Sequence, residues 1–151
     1  SLWGNMETVA HITGQPSSES DCWSRMIRYA GLWSLIGFGY WLVEERSSSA
    51  MVGDVGLADF RRDMSPDISK IPEAGWVLSP QFHGRGYARE AMEAVFQWSN
   101  AVMKPERYCC IISPSNAPSL RLADRLGFGQ VEEAQMGDSA LKLLWKPGGV
   151  S

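Results

Sequence analysis

Two stretches of the chain carry apolar residues at the three-to-four-residue spacing of an amphipathic helix. The first follows Ser18-Glu19-Ser20-Asp21, which resembles a capping box, and it predicts a helix over about residues 19–35. Its apolar stripe consists of Trp23, Met26, Ile27, Ala30 and Trp33. The second stripe predicts a helix of about 16 residues. It consists of Ala88, Ala91, Met92, Val95, Phe96, Ser99 and Met103.

Short apolar runs bounded by turn-forming residues predict the strands. A hairpin over Phe38 to Arg46 and Met51 to Phe60 is followed by an exposed loop over residues 61–72 and a strand from Glu73 to Ser79. Tyr108 to Ile112 is a continuous apolar run, as in strands that are buried on both faces of a sheet. Because a helix separates it from the Glu73 strand, the two strands are expected to pair in parallel.

The end of the chain predicts a short helix and a second hairpin. The helix covers Ser119 to Leu126 and is closed by Gly127, where glycine tolerates the left-handed conformation that ends helices. The hairpin consists of Phe128 to Gln135 and Ala140 to Trp145, joined by a turn at Gly137-Asp138. The sequence therefore predicts a fold that contains several strands as well as helices.

The size of the chain favours a single domain over residues 1–151. With 151 residues, of which 44% are hydrophobic and 21% charged, the chain is able to bury one sizeable core. No repeat, linker or low-complexity segment divides it.

Charge and apolar run length limit the expected partners. A net charge of −3 argues against a nucleic-acid groove, which needs a basic face to neutralise phosphates. No apolar stretch reaches the roughly 20 residues that span a bilayer, and the first residues lack a secretory signal. We therefore expect no nucleic-acid partner, no membrane partner and a cytoplasmic location.

The three cysteines carry no recognisable chemistry. Cys22 is remote from the adjacent pair Cys109 and Cys110, and no C-x-x-C spacing of a metal site occurs. Neighbouring residues of a strand point to opposite faces, so Cys109 and Cys110 are predicted to be small core residues. No metal site is predicted.

Candidate chemistry lies where the Glu73 strand turns through two glycines into the second long helix. The first N–H groups of a helix lack intrahelical partners, and the helix dipole adds about half a positive charge there. Gly84 and Gly86 allow close backbone approach, and Arg85 and Arg89 add full charges. A pyrophosphate fits such a cradle, although the same glycines are also typical of an ordinary tight turn.

Two other phosphate-binding loops do not fit these residues. A P-loop ends in Gly-Lys-Ser/Thr, which is absent here. The dinucleotide-binding fingerprint requires a third small residue at the position of Arg89.

The loop and a second segment resemble the GNAT superfamily of acetyl-CoA-dependent N-acetyltransferases. Gln81-x-x-Gly84-x-Gly86 is similar to the family's cofactor motif, Gln/Arg-x-x-Gly-x-Gly/Ala. Asn116-x-x-Ser119, followed by Leu126-Gly127-Phe128, is similar to its second motif. The likeness extends over most of the chain and is closest to the ribosomal-protein N-terminal acetyltransferases. It implies an α/β fold of the α+β type, with a mixed, mostly antiparallel sheet that contains one parallel, splayed strand pair and is flanked by helices.

One departure from that branch lies at the start of the sequence. The branch opens with a Thr-x-Arg-Leu-x-Leu-Arg strand, and this sequence begins past the position where the strand is expected. Its absence is expected to leave a sheet edge at the Phe38 to Arg46 hairpin, and such an edge invites pairing with another chain. A homodimer is one expected outcome.

The resemblance implies acetyl-CoA as cosubstrate and assigns its contacts. The pantetheine arm lies between the splayed strands, against backbone groups of Val77, Leu78 and Ser79, and the N–H of Leu78 or Val77 faces the thioester oxygen. The remaining cofactor-binding residues that it implies are Gln81, His83, Gly84, Arg85, Gly86, Tyr87, Ala88, Asn116 and Ser119. His83 also fits a solvent-exposed loop position, and Asn116 also fits an N-cap.

The implied reaction is direct attack of a primary amine on the acetyl thioester in a ternary complex. Glu73 is the candidate base and Ser119 the candidate partner of the leaving thiolate; the alternatives are a satisfied strand-end carboxylate and an ordinary first-turn serine. The tyrosine acid of several GNAT branches is replaced by Ala123, which leaves a non-catalytic acyl-CoA sensor or interaction module as the alternative function. The acceptor, a protein N-terminus, small amine, polyamine or amino acid, stays open.

Overall fold

A computed structural model describes residues 18–149. In chain order these residues form α1 (Glu19–Ile36), β1 (Tyr40–Glu44), β2 (Met51–Ala58), β3 (Glu73–Leu78), α2 (Tyr87–Val102), β4 (Arg107–Ile112), α3 (Ala117–Arg125), β5 (Gln130–Met136) and β6 (Ser139–Pro147). A single 3-10 turn, Pro80–Phe82, separates β3 from the loop before α2.

The six strands form one sheet in the order β1-β2-β3-β4-β6-β5. All neighbours are antiparallel except β3 and β4, which are parallel as the helical crossover through α2 predicts. The predicted mixed, mostly antiparallel sheet flanked by helices is therefore confirmed.

The parallel pair separates soon after it begins. Its register contains one pair of residues, Glu73 opposite Cys109, and the Cys109 N–H donates to the Pro72 carbonyl at 3.1 Å. Because β3 runs on to Leu78 without further pairing to β4, a gap opens between the two strands on the side of their carboxyl ends.

Side chains on the two faces of the sheet pack into separate cores. One face packs against α2 and α3 around Val55, Met92 and Tyr108, and the other packs around Ile68, Leu143 and Trp145. Cys110 belongs to the first core and Cys109 to the second, so the prediction that they are core residues on opposite faces is confirmed. Burial raises the pKa of the Cys109 thiol to about 12, which keeps it protonated at neutral pH.

The first helix begins and ends as its sequence predicts. The Asp21 N–H donates to the Ser18 hydroxyl at 3.1 Å, and the Ser18 N–H donates to the Asp21 carboxylate at 3.2 Å. Gly37, with φ of 81°, closes the helix in the left-handed conformation. Residues 61–72 form the predicted loop, and an isolated bridge between Ser65 and Gln135 holds it to β5.

The start of α3 was predicted wrongly. The helix begins at Ala117, two residues before the predicted Ser119, because the Asn116 side chain accepts a hydrogen bond from the Ser119 N–H at 3.3 Å. Proline then occupies the first turn, where the absence of its N–H costs nothing.

At one edge of the sheet, β1 pairs with β2 and with no other strand of residues 18–149. Residues 1–15, which would contradict the expected open edge if they covered it, lie outside the described residues. Large apolar side chains are exposed beside the edge, including Leu35 on α1 and Leu42 on β1. Within residues 18–149, no helix is long and apolar enough to cross a membrane.

Candidate active site

The loop between β3 and α2 presents an open helix N-terminus. Gly84 and Gly86 adopt φ of 72° and 82°, left-handed values that favour glycine, and α2 begins directly afterwards. The first intrahelical bond runs from the Glu90 N–H to the Gly86 carbonyl at 3.0 Å, so the preceding N–H groups have no acceptor within the helix. A Cβ added at either glycine meets no atom within 4 Å, which leaves space for a bound anion.

A cleft of about 700 Å³ connects this helix N-terminus with the gap between β3 and β4. Its walls come from the end of β3, the glycine loop and the first turns of α2 and α3. The lining residues are Trp76, Val77, Leu78, His83, Gly84, Gly86, Tyr87, Ala88, Arg89, Asn116, Pro118, Ser119, Arg121, Leu122 and Arg125. Its volume is that of a small-molecule site.

Most of the predicted cofactor residues belong to this lining. The exceptions are Ser79, Gln81 and Arg85. The pair Arg121 and Arg125, which stand four residues apart on one face of α3, was not predicted from the sequence. That spacing is visible in the sequence, but it does not reveal which side of the helix faces the cleft.

Strand geometry determines which backbone groups of β3 point into the gap. The Ser79 N–H donates to the Val52 carbonyl on β2 at 2.8 Å, whereas the Pro72 carbonyl accepts from β4. Since successive residues of a strand direct these groups to opposite edges, Trp76 and Leu78 face the gap and Val77 faces β2. Of the two sequence-based candidates for the oxyanion donor, Leu78 therefore has the suitable direction, and Trp76 joins it.

His83 is tied to the end of β3. Its Nε2 lies 2.9 Å from the Leu78 carbonyl oxygen, and because a carbonyl only accepts, this nitrogen carries the proton. The side chain thereby braces the glycine loop against the strand.

Glu45, in the turn between β1 and β2, holds the glycine loop from the other side. Its carboxylate accepts a hydrogen bond from the Tyr87 hydroxyl and lies 3.2 Å from Arg85 Nη2. The hydrogen bond from Tyr87 is the main reason why the pKa of Glu45 is lowered, and it also raises the pKa of Tyr87. Arg85 is consequently directed towards Glu45, and its predicted cofactor contact stays a prediction.

Ser119 and Asn116 occupy the far wall of the cleft. Trp76 Nε1 donates to the Ser119 hydroxyl oxygen at 3.2 Å, which leaves the hydroxyl proton able to point elsewhere. Asn116 acts as the N-cap of α3, so that part of its predicted role is confirmed. Contacts of either residue with a cofactor stay predictions.

Glu73 lies outside the lining of the cleft, at the closed end of the strand gap. It is 4% exposed, and its two carboxylate oxygens bind Arg62 at 2.8 and 2.9 Å, through Nε and Nη2. Trp76 lies three positions further along the strand, a distance of about 10 Å. The structure thus places Ser119 in the cleft and Glu73 in a buried ion pair, and the role of Glu73 as base stays a prediction.

Ala123, the position of the absent tyrosine, lies in the core below the cleft. It is fully buried and does not line the cavity. Among residues 18–149, no group of three or more His, Cys, Asp and Glu side chains is placed to hold a metal ion.

Three comparisons with known proteins agree on one family. Residues 1–129 match the family model of the acetyltransferase (GNAT) domain. A GNAT-family acetyltransferase structure from Bordetella pertussis is similar with a TM-score of 0.82 and 32% identity, covering 96% of this chain and 87% of that one.

Two further relatives match a smaller share of the chain or match it with lower identity. An uncharacterized N-acetyltransferase of Bacillus subtilis, YnaD, is 34% identical over 55 residues, which are 36% of this chain and 32% of that protein. A spermidine N-acetyltransferase from Vibrio cholerae, solved with CoA and spermine, has a TM-score of 0.70 over 97% of this chain and 86% of that one. It is 16% identical, so it supports the fold alone. The chain spans between 32% and 51% of the length of the curated relatives it matches.

Proposed function

The chain belongs to the GNAT acetyltransferase family, and from that premise we propose that it transfers the acetyl group of acetyl-CoA to a primary amine. The observation that carries the proposal is the open N-terminus of α2 with its two left-handed glycines, which continues into the gap beside β3. The helix N-terminus suits the pyrophosphate of acetyl-CoA, and the adjoining gap suits the pantetheine arm that follows the pyrophosphate in the cofactor.

Each part of acetyl-CoA has a complementary group in the cleft. The unpaired N–H groups from Gly84 to Ala88 suit the pyrophosphate, because they combine donors with the positive end of the helix dipole. Arg121 and Arg125 also line the cleft, where their charges suit further phosphate oxygens, and Arg89 lines it while its Nε donates to Glu93 at 2.9 Å. Backbone groups of Trp76 and Leu78 suit the amides of the pantetheine arm.

The chemistry follows from holding the thioester beside these groups. The amine nitrogen attacks the acetyl carbon, a C–N bond forms and the C–S bond breaks, and the proton lost by the nitrogen ends on the sulfur. A gap-facing N–H of β3 stabilises the oxyanion, and such preorganised donors are often the largest single catalytic contribution. The Ser119 hydroxyl donates to the departing thiolate, which is a fair leaving group because an ordinary thiol has a pKa of about 8.5.

Ser119→Ala is expected to lower kcat by about threefold to tenfold and to leave the affinity for acetyl-CoA nearly unchanged, because one neutral hydrogen bond to the leaving group is lost. Steady-state kinetics with calorimetry of acetyl-CoA binding measures both quantities. Ser115→Ala is the matched control, since Ser115 is exposed and lies outside the cleft lining. Equal rates for the two variants would remove Ser119 from the mechanism.

The acceptor and the branch within the family are part of the proposal. The motif resemblance favours the ribosomal-protein N-terminal acetyltransferases, and hence an α-amine of a peptide or a comparable small amine. Mass-spectrometric screening of peptide and small-amine acceptors with acetyl-CoA tests this assignment together with the activity.

A non-catalytic acyl-CoA sensor is the second candidate function. Ala123 favours it, because the side chain at this position has no proton to donate and is buried away from the cleft. The retention of Ser119 in the cleft, within 3.2 Å of the Trp76 indole nitrogen, favours turnover. Acetyl-CoA binding without thiol release in the presence of amines would support the sensor.

We also propose that the β1 edge joins two copies of the chain. Among residues 18–149 the outer edge of β1 pairs with no other strand, although the Tyr40 carbonyl accepts from Trp33 Nε1, and the exposed Leu35 and Leu42 add apolar surface that suits an interface. Light scattering is expected to give the mass of a dimer, and Leu42→Lys is expected to shift it to that of a monomer. A wild-type protein that is monomeric at all concentrations measured would contradict the proposal.

A further inference from the structure

A tyrosine from the edge strand lies across the sheet beside the strand gap. Tyr40, Gly56 and Gly75 are side by side on β1, β2 and β3. A Cβ at Gly56 would lie 2.6 Å from the Tyr40 Cα, and a Cβ at Gly75 would collide with the Tyr40 hydroxyl. Because both glycines lack a side chain, the Tyr40 ring is able to cross β2. The Tyr40 hydroxyl then lies over Gly75 of β3, the residue that precedes Trp76.

The surroundings of this hydroxyl keep it neutral. Tyr29 stacks on the Tyr40 ring at 4.5 Å, and Phe60 lies parallel to it at 6.3 Å. Burial raises the pKa of Tyr40 well above its ordinary value, and Tyr29, Glu73 and Asp54 add to the increase, so the phenol stays protonated at neutral pH.

Asp54 lies on the same sheet face as the Tyr40 ring, outside the cleft lining but paired with a strand residue that belongs to it. It lies opposite Val77 in the β2–β3 register, two positions along from Gly56, and Val77 lines the cleft. Directly opposite residues have Cβ atoms about 5 Å apart. Asp54 also hydrogen-bonds the Tyr29 side chain, whose pKa is raised chiefly by burial and secondly by the Asp54 charge.

Glu73, the other carboxylate on this face, is occupied differently. Both of its oxygens bind Arg62, so taking up a proton would break a buried ion pair. Glu73 is also further along β3 from the gap-facing N–H groups of Trp76 and Leu78. Asp54, in contrast, is paired with Val77, which lies between those two residues.

We propose that Tyr40 and Asp54 form the acceptor-amine site, on the sheet face opposite α2 and α3. The inference rests on the proposed acetyl transfer and assigns its acceptor side. The Tyr40 oxygen accepts a hydrogen bond from the amine nitrogen and orients its lone pair towards the acetyl carbon. Asp54 takes one proton from the incoming ammonium and releases it to solvent.

The proton balance is complete with these groups. An ammonium R-NH₃⁺ loses one proton to Asp54, and the neutral amine attacks the acetyl carbon. The nitrogen then loses a second proton, which ends on the sulfur as the C–S bond breaks, giving an amide and free thiol. No oxidant, reductant or further reactant is required.

Arginines near Tyr29 and Tyr40 favour an acceptor molecule that has a single amino group and whose remaining part is neutral or anionic. Arg62 and Arg28 lie over the Phe60 ring at 4.9 and 5.5 Å, and Arg25 and Arg28 act electrostatically on Tyr29. Because Glu73 neutralises Arg62, the repulsion of a second ammonium comes from Arg25 and Arg28, which would attract a peptide carbonyl or carboxylate. An α-amine, with an ordinary pKa of about 7.7 to 8.0, also loses its proton more readily than an alkyl amine.

The test compares Tyr40→Phe and Asp54→Asn with the wild-type chain, using an alanine-initiated peptide with a free amine, and spermidine. Asp54→Asn is expected to lower kcat for the peptide by about a hundredfold, as for the loss of a general base. Tyr40→Phe is expected to lower kcat/KM by about tenfold, the effect of one hydrogen bond. The wild type is expected to favour the peptide over spermidine by at least about tenfold.

Controls separate this inference from the proposed function. Calorimetry should give the same acetyl-CoA affinity for both variants, which shows that the fold and the cofactor side are intact. Asp138→Asn, a carboxylate-to-amide change in the exposed β5–β6 turn, should leave the rate unchanged.

The possible outcomes each decide one point. If the wild type acetylates the peptide and both variants match it, the assigned site is wrong. Preference for spermidine, or acetyl-CoA binding with no transfer to the peptide, would overturn the acceptor class. Failure of the wild type to bind acetyl-CoA would instead overturn the proposed function.

Discussion

Acetyl-CoA affinity is expected to fall by at least about a hundredfold when Gly86 is replaced by valine. Gly86 caps α2 with φ of 82°, a conformation that costs a β-branched residue about 1–3 kcal/mol. A Cβ at Gly86 would also point into open space at the helix N-terminus. A valine side chain would therefore fill the space in which we propose that the pyrophosphate binds. Backbone strain and steric exclusion of the pyrophosphate therefore both weaken binding in Gly86→Val. Calorimetry of acetyl-CoA binding measures the loss of affinity.

Gly137→Val is the matched control for the strain. Gly137 has φ of 58° and open surroundings like Gly86, but it lies in the β5–β6 turn, outside the cleft lining. It should lose a similar amount of stability in thermal melts and keep its acetyl-CoA affinity. Undiminished affinity in Gly86→Val would show that the pyrophosphate binds elsewhere.

Glu73→Gln is expected to lower the free energy of unfolding by about 2–3 kcal/mol. Breaking a fully buried ion pair costs about 3–5 kcal/mol because one charge is left uncompensated, and the partial exposure of Arg62 reduces that cost. For a chain of this size the corresponding fall in Tm is about 4–12 °C. Adding Arg62→Gln to the variant should restore part of the stability, since no unpaired charge remains.

The same variants separate two assignments of the base. If Glu73 is the base, as the sequence predicts, Glu73→Gln lowers turnover by about 10²–10⁴ well below its Tm and removes the alkaline rise of the rate profile. The double variant would then stay inactive. If Asp54 is the base, the stabilised double variant recovers most of its rate, and only Asp54→Asn stays slow.

Local sequence patterns predicted the elements of the fold closely. The helical stripes indicated α1 and α2, and the crossover rule indicated the parallel β3–β4 pair. The error at α3 has a physical cause: Asn116 and Pro118 begin that helix, and their turn-forming character led the prediction to place its start at Ser119.

The candidate site also contains residues that the sequence predicted and residues that it did not. The glycine loop was predictable because its residues are consecutive and glycine is needed at both left-handed positions. Glu45 was missed because it meets Arg85 and Tyr87 from 40 and 42 residues away, through tertiary packing that leaves no local pattern. The sequence alone assigned Tyr40 no role, because an aromatic residue at this position suits both a pocket and a core strand, and only the register reveals Gly56 and Gly75 beside it.

Acetyl transfer to an amine, the central claim, is tested most directly by incubating the chain with acetyl-CoA and a panel of peptide and small amines. Thiol release is followed while mass spectrometry examines each amine. We expect free thiol to appear together with an equal amount of one acetylated amine, and Gly86→Val to abolish both. Acetyl-CoA binding by calorimetry with neither thiol nor acetylated product from any amine would contradict the claim and support a sensor.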